Sequence, residues 1–373
     1  MKKKLVFSLF ILSLHIISDD NLKKLKLPEG FKISVYANNL DTPRQITQSK
    51  NGTVFVGSKN GDSITALIDA DNDGVAEKKY VIADNLVNPT GVTYFKNDLY
   101  FSEIDKIWKI VDIDKWLKSD KIKKPKKELY FGGLPADRWH GFKYIDFGPD
   151  ENMYIPVGVP CNICIEPQIK DWRYAGIHKL SDSKLIPVAQ GVRNSVGFDW
   201  HPTTKKMYFS DNGRDWLGDD SPSCELNVVD EEGSFYGYPY KHAKNVIDPK
   251  FGNHETSQGK KFVDPIAELG PHVAPLGISF YDADIFPKKY HDGIFIALHG
   301  SWNRTKKSGY KVIFVGLDKD GNYLYQEDFI TGWLQEENAW GRPVSPFVMD
   351  DGSLLISDDK HNVVYKISYS RNI

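Results

Sequence analysis

The chain has 373 residues, 40% of them hydrophobic and 26% charged, which is ample for a large core. Its net charge of -2, with lysines scattered along the chain, leaves no electrostatic footprint for nucleic acid. Aromatics at 13%, with 30 glycines and 20 prolines, favour many short strands and turns.

Met1-Lys2-Lys3-Lys4 precedes an apolar run over residues 5–18, and Asp19-Asp20 follows it. A basic head before a short apolar core predicts a secretory signal over residues 1–20. About fourteen apolar residues are few for a membrane span, and no A-x-A cleavage site is present, so an uncleaved N-terminal anchor is the alternative. Either way the body of the protein is expected in the periplasm or secreted, with membrane contact only through that N-terminus.

From Leu27-Pro28-Glu29-Gly30-Phe31 the chain alternates like a strand, and a unit then recurs. Each unit has a loop with Pro or Arg, an apolar strand, a turn of Asn, Asp or Gly, and a strand rich in Tyr, Phe and Val. The turns fall at Asn51-Gly52, Asn97-Asp98, Asp150-Glu151, Thr203-Thr204, Asp292-Gly293 and Asp350-Asp351-Gly352, spaced by roughly 46, 53, 53, 89 and 59 residues. One unit of about fifty residues repeated six times predicts an all-β fold: a six-bladed β-propeller of four-stranded antiparallel blades over residues 27–370. The long fourth interval holds an insertion at about residues 231–265. A pair of β-sandwiches is the alternative, and six similar units argue against it.

Three local features stand out along the way. Asp69-Ala70-Asp71-Asn72-Asp73-Gly74 has the opening spacing of a calcium loop, but the twelfth position is Tyr80 rather than Glu. An Asp-rich hairpin turn and a weak structural calcium site both fit it. Lys121-Ile122-Lys123-Lys124-Pro125-Lys126-Lys127 reads as a solvated loop, or a contact for acidic lipid or a partner protein. Cys161 and Cys164 flank two residues in a Pro-bounded loop. One C-x-x-C has too few ligands for structural zinc, so a disulfide staple is expected, with Cys224 single or its competitor.

Propeller ligands sit over the central channel, on loops from successive blades. Residues 139–158 predict such a loop, carrying His140, followed by a hairpin turned at Gly148-Pro149-Asp150. The fourth unit offers Arg193 and Asn194 and then the carboxylate-rich loop at residues 210–220. The fifth offers His299 and Arg304, and the sixth Arg342. His140, Arg193 and Arg342 precede their strands, while His299 follows its own. Cations converging on one mouth suit a small polyanion, because guanidinium binds carboxylate in a bidentate fork.

Together these segments resemble the glucose/sorbosone dehydrogenase family. The matching pieces are Leu27-Pro28-Glu29-Gly30-Phe31, the hairpin at residues 140–158, Gly191-Val192-Arg193-Asn194, Trp200-His201-Pro202 and Ser210-Asp211-Asn212-Gly213. They continue with Asp219-Asp220, Glu225-Leu226-Asn227, Tyr236-Gly237-Tyr238-Pro239, Gly341-Arg342-Pro343 and Asp351-Gly352. Cys161-Asn162-Ile163-Cys164 and His299-Gly300-Ser301-Trp302-Asn303 point to the sorbosone-dehydrogenase-like branch. The resemblance covers nearly all of the chain after the signal and lies in the order and spacing of the pieces.

The resemblance implies a quinoprotein that uses pyrroloquinoline quinone (PQQ) and Ca2+. It implies that His140 is a general base and that Arg193 and Asn194 meet the quinone at its reactive carbonyl. It also implies that backbone carbonyls at Gly213 and Arg214 hold calcium, and that Arg342 meets a quinone carboxylate. Three positions depart from the best-known soluble glucose dehydrogenases. Arg214 replaces a proline, His299 replaces a cofactor-binding lysine with Arg304 as a compensating cation, and Trp340 replaces a second arginine.

The implied reaction is oxidation of a sugar or related aldehyde or alcohol by hydride transfer to the quinone. His140 would take the proton, with calcium and Arg193 stabilising the charge that develops on the quinone oxygen. Electrons would pass to a periplasmic acceptor. Two other classes stay open: a non-catalytic propeller that binds sugars or a protein, and a calcium-dependent lactone or ester hydrolase. For the hydrolase, Asp211 and Asn212 are the candidate metal pair.

Overall fold

A computed structural model describes residues 20–119 and 123–370. The expected signal or anchor lies outside them apart from Asp20, as do Lys121 and Ile122 of the basic run. Among the described residues no helix is long and apolar enough to cross a membrane.

Six sheets follow one another in chain order as a six-bladed β-propeller. Blade 1 is Pro43–Gln48, Val54–Ser58, Ile64–Ile68 and Lys78–Ala83. Blade 2 is Val92–Phe95, Asp98–Ser102, Lys106–Ile110 and Glu128–Gly132. Blade 3 is Asp146–Phe147, Met153–Val157, Gly176–Ser181 and Lys184–Gln190. Blade 4 is Phe198–Trp200, Met207–Asp211, Ser223–Val228 and Ala267–Pro271. Blade 5 is Pro275–Phe280, Ile294–Leu298, Lys311–Leu317 and Tyr323–Ile330. Blade 6 is Pro343–Val348, Leu354–Asp358 and Val363–Tyr369, completed by Phe31–Ala37.

The composition of each strand follows from its place in its blade. The second strand of blades 1, 3, 4, 5 and 6 is buried at every position, because neighbouring blades cover both of its faces. That is why those strands read as continuous Tyr, Phe, Ile and Val. Outer strands such as Lys184–Gln190 and Lys78–Ala83 are partly exposed, at Lys78, Lys79, Lys184 and Gln190 as well as at Val81 and Ile186. The apolar core is therefore a series of clusters between blades, such as Phe55, Ile82, Val92, Leu99 and Phe101 between blades 1 and 2. Glycines let innermost strands approach one another: a Cβ at Gly197 would sit 2.2 Å from the Leu276 carbonyl oxygen.

Two features depart from a plain six-fold repeat. The strand Phe31–Ala37 pairs antiparallel with Val363–Tyr369, so the N-terminal strand is the outer strand of the last blade and closes the ring. Phe31 anchors this closure, with its ring 4.8 Å from Phe286, 5.0 Å from Phe329 and 4.9 Å from Tyr369. The second feature is an addition to the four antiparallel strands of blade 3. Ser234–Phe235, from the blade 4 insertion, runs parallel to Lys184–Gln190 and makes blade 3 five-stranded. The insertion is thus held by hydrogen bonds to its neighbour, and it packs near the Cys161–Cys164 loop through Tyr238.

The Asp-rich loop joins Ile64–Ile68 to Lys78–Ala83. Carboxylates of Asp69, Asp71, Asp73 and Glu77 lie within 4.8 Å of one another. They accept from backbone N–H groups of the same loop: Gly74 and Asp73 donate to Asp69, Val75 to Asp73, and Ala70 to Glu77. Glu77, the ninth position, closes the group rather than the twelfth.

Candidate active site

In every blade the innermost strand begins, and the second strand ends, at the same mouth of the channel, because the two are antiparallel. Residues just before innermost strands and just after second strands therefore meet. This is why His299, which follows its strand, shares a cavity with His140, Arg193 and Arg342, which precede theirs. The cavity is about 300 Å³, and Asn194 and Gly213 line it as well.

His140 is held by its backbone and by one ring nitrogen. It adopts φ 53°, in the left-handed region, and Gly141 after it has no room for a side chain: a Cβ there would lie 2.0 Å from the Asp137 carbonyl oxygen. Nδ1 donates to the Val159 carbonyl at 2.7 Å, which places the lone pair of the neutral ring on Nε2. Burial, followed by the charge of Arg193, pushes the imidazole down to about 3, with the Val159 bond opposing. The ring is neutral at any ordinary pH, with its one lone pair on Nε2.

Lys143 braces the same turn. It is 2% exposed, and its amine donates to the Gly141 carbonyl at 2.7 Å. Burial lowers it from 10.5 to about 8, so between those values the unfolded chain binds the proton that the folded chain releases. Stability contributed by this group therefore rises with pH through that window. Lys143→Met is expected to reduce the gain in urea-unfolding free energy between pH 8 and 10 by about 2–3 kcal/mol. An unchanged gain would show that the amine stays charged in the folded chain.

Arg193 is aimed by the disulfide loop. Cys161 and Cys164 are bonded, as expected, and Cys224 is a buried free thiol in the cavity wall. Asn162, between the two cysteines, accepts from Arg193 Nε with its carbonyl and from Nη2 with Oδ1, both at 2.9 Å. Arg193 also donates to the Asn212 carbonyl at 3.2 Å and pairs with Asp215 at 3.2 Å. These contacts use four of the five N–H groups of the guanidinium. The backbone is pinned too: Asp211 accepts from the N–H of Arg193 at 2.8 Å and of Asn194 at 2.7 Å. Asn212 Nδ2 meanwhile donates to the carbonyls of Asn194 and Pro275. Asp211 and Asn212, the candidate metal pair for a hydrolase, are therefore committed to holding backbone.

The opposite wall belongs to blades 1, 5 and 6. Arg342 donates to the carbonyls of His299 and Gly300, and His299 Nε2 meets Asp359 at 2.8 Å. Burial lowers His299 to about 4 against the pull of Asp359. Burial would raise the Asp359 carboxyl, but His299 and then Arg44 hold it well below the usual range.

Two cations on this wall escaped the sequence reading: Arg44 and Lys59, both lining the cavity. Arg44 is 5% exposed, and its guanidinium lies 5.4 Å from the centre of the Phe142 ring. It faces Asp359 at 3.4 Å without a hydrogen bond, and its buried Nε and Nη1 donate to nothing among the described residues. Burial lowers both Arg44 and Lys59 from their ordinary values. A signal for Arg44 existed: Pro43 and Pro343 open equivalent strands, paired with Ser58 and Asp358, so Arg44 and Arg342 flank equivalent prolines, one after and one before.

Three departures noted in the sequence find their places. Arg304 does not reach the cavity; it donates to the Asp219 carbonyl and to the Asp220 carboxylate, so it does not stand in for a lysine there. Lys59 and Arg44 supply the positive charge instead. The Arg214 side chain also turns away, pairing with buried Asp248 of the insertion at 2.5 Å, while His242 bonds the same oxygen at 2.9 Å. Burial alone would raise Asp248, and the bonds from His242 and Arg214 hold it far below. Trp340 gives its N–H to the Gly332 carbonyl, outside the cavity.

A family model described as TrAA12-like matches residues 186–369. An uncharacterized protein of Borreliella burgdorferi is 37% identical over 379 aligned positions, covering 99% of this chain and 97% of its own. The chain belongs to the TrAA12-like family. Its fold is also that of several solved structures. The calcium structure of the Trichoderma reesei family AA12 enzyme superposes with a TM-score of 0.78 at 18% identity, covering 93% of this chain and 97% of that one. The PQQ domain of Coprinopsis cinerea pyranose dehydrogenase gives 0.74 at 18%, covering 92% and 97%. The PQQ-bound aldose sugar dehydrogenase of Streptomyces coelicolor gives 0.62 at 17%, covering 92% and 100%.

Proposed function

We propose that this TrAA12-like chain is an exported oxidoreductase that oxidises a sugar, or a related aldehyde or alcohol, by hydride transfer to PQQ. The observation that carries the reading is Arg44: a guanidinium that is 5% exposed, lines the cavity and has two buried nitrogens without a hydrogen bond among the described residues. Leaving buried donors unpaired is costly, so the site is built for an acceptor it does not itself provide. Arg44, Lys59, Arg193 and Arg342 surround one cavity, a donor set that fits a small planar polycarboxylate such as PQQ.

When bound, the quinone supplies the two-electron acceptor that no side chain can supply. Arg342 and Arg44 would hold its carboxylates. Arg193, with one N–H to spare, and Asn194 would face its reactive carbonyl. The Gly213 and Arg214 carbonyls would hold Ca2+; Gly213 stands in the cavity wall, and the Arg214–Asp248 pair ties that loop to the insertion. His140 would take the proton of the substrate hydroxyl at Nε2, for which its neutral ring is already prepared. The sorbosone-dehydrogenase-like branch, the periplasmic electron acceptor and the address outside the cytoplasm belong to the same proposal and rest on the sequence features given above.

The reading is tested by adding PQQ and CaCl2 to the purified chain and following the quinone absorbance, then dye reduction over a panel of aldoses and aldehydes. A spectral change and sugar-dependent reduction are expected. No spectral change would favour a non-catalytic propeller. On the same assay, Cys161→Ala with Cys164→Ala is expected to leave the fold intact and lower the rate about ten- to a hundredfold, by loosening Asn162 and hence Arg193. An undiminished rate would make the disulfide loop irrelevant to the site.

A further inference from the structure

The base in this site does not present a free lone pair. The indole N–H of Trp139 donates to His140 Nε2 at 3.0 Å, and the two rings meet edge to face at 5.9 Å. We propose that Trp139 is a displaceable cap on His140, occupying its lone pair until a substrate hydroxyl takes the place of the indole. This rests on His140 acting as the base, as proposed above.

The two partners differ in how firmly they are held. His140 cannot move: its Nδ1 is bonded to Val159, its left-handed backbone is sealed by Gly141, and its Cβ packs where a Cβ on Gly158 would lie 2.7 Å away. Trp139 is 53% exposed, so swinging its indole outward removes little apolar surface from cover. An sp² nitrogen has one lone pair and accepts one hydrogen bond in its plane. A hydroxyl that is to give its proton to Nε2 needs that same lone pair, so the indole and the substrate exclude one another. A ligand with no hydroxyl at this point has nothing to replace the indole bond and leaves the base capped.

Trp139 is thus a positioning residue that governs access to the base. Its loss should act on KM more than on kcat, because the bond it makes exists before the substrate arrives and not in the reacting complex.

Diethyl pyrocarbonate provides a readout that needs no quinone, metal or sugar, since it acylates an unprotonated imidazole at its free lone pair. The full chain, Trp139→Phe and Trp139→Ala would be labelled at pH 7, with modification of His140 followed by peptide mass spectrometry and His254 as an internal reference. Removing one hydrogen-bond donor while keeping an aromatic ring should speed labelling of His140 in Trp139→Phe about fivefold, with His254 unchanged. Trp139→Ala should be at least as fast. Equal or slower labelling of His140 in both variants would overturn the cap. A chain that binds no quinone and reduces no dye would instead overturn the function, and the labelling rates keep the two failures apart.

Discussion

Replacing His140 by alanine is expected to lower sugar-dependent dye reduction by about 10²–10⁴-fold, the usual worth of a positioned general base. The quinone spectrum on binding should be nearly unchanged, because the cofactor would be held by the arginines. The physical ground is the tautomer: Val159 takes the Nδ1 proton, so Nε2 is the one nitrogen able to accept another. The same geometry sets the pH response. With the imidazole pushed down to about 3 by burial and by Arg193, the base stays neutral above that value and is lost only below it. The wild-type rate should therefore show no falling acid limb from this group between pH 5 and 8. A limb near 6.5 that disappears in the alanine variant would mean that the ring is more solvated than its surroundings imply. Full activity in the alanine variant would remove His140 from the mechanism.

Arg44→Met should act differently on stability and on cofactor affinity. The depressed proton affinity of Arg44 says that burial costs its charge more than Asp359 returns. Removing the charge while keeping the apolar stem should leave the cofactor-free protein about as stable as before, because the desolvation cost removed offsets the lost pairing with Asp359. Asp359 keeps His299 at 2.8 Å and Lys59 at 3.7 Å, so it is not stranded. Affinity for PQQ should fall about ten- to a hundredfold, the range expected for a hydrogen bond between charged groups. Thermal unfolding without cofactor and equilibrium dialysis with it read the two effects separately. Lower stability with unchanged affinity would make Arg44 an ordinary structural ion pair.

Much of the site was readable because a repeat converts sequence position into spatial position. Once the turns at Asp150, Thr203 and Asp350 are recognised as equivalent, residues at a similar offset before them must share a mouth, and His140, Arg193 and Arg342 follow. Arg44 and Lys59 were missed for a local reason. Arg44 lies one residue inside its strand rather than before it, and Lys59 sits next to Asn60-Gly61, where a lysine looks like an ordinary solvated turn. Arg304 misled for the converse reason: an arginine beside the site in sequence was claimed by Asp219 and Asp220, from a loop more than eighty residues away.

What the sequence by itself determined is whatever depends on chain-local physics. Alternation sets strand faces, Gly, Asn and Asp set turns, and regular spacing sets the number of blades. Together these were enough for a six-bladed propeller and for a mouth lined with cations. Tertiary structure alone decided the rest, because the rest is competition for partners. The strand Phe31–Ala37 closes the last blade by pairing with the open edge of Val363–Tyr369, at the far end of the chain. Asn162 takes most of Arg193, Asp248 takes Arg214, and Trp139 takes the lone pair of His140. Among the described residues Arg44 is the one arginine of the cavity with buried nitrogens that make no hydrogen bond, and no pattern of residue types could have said which one it would be.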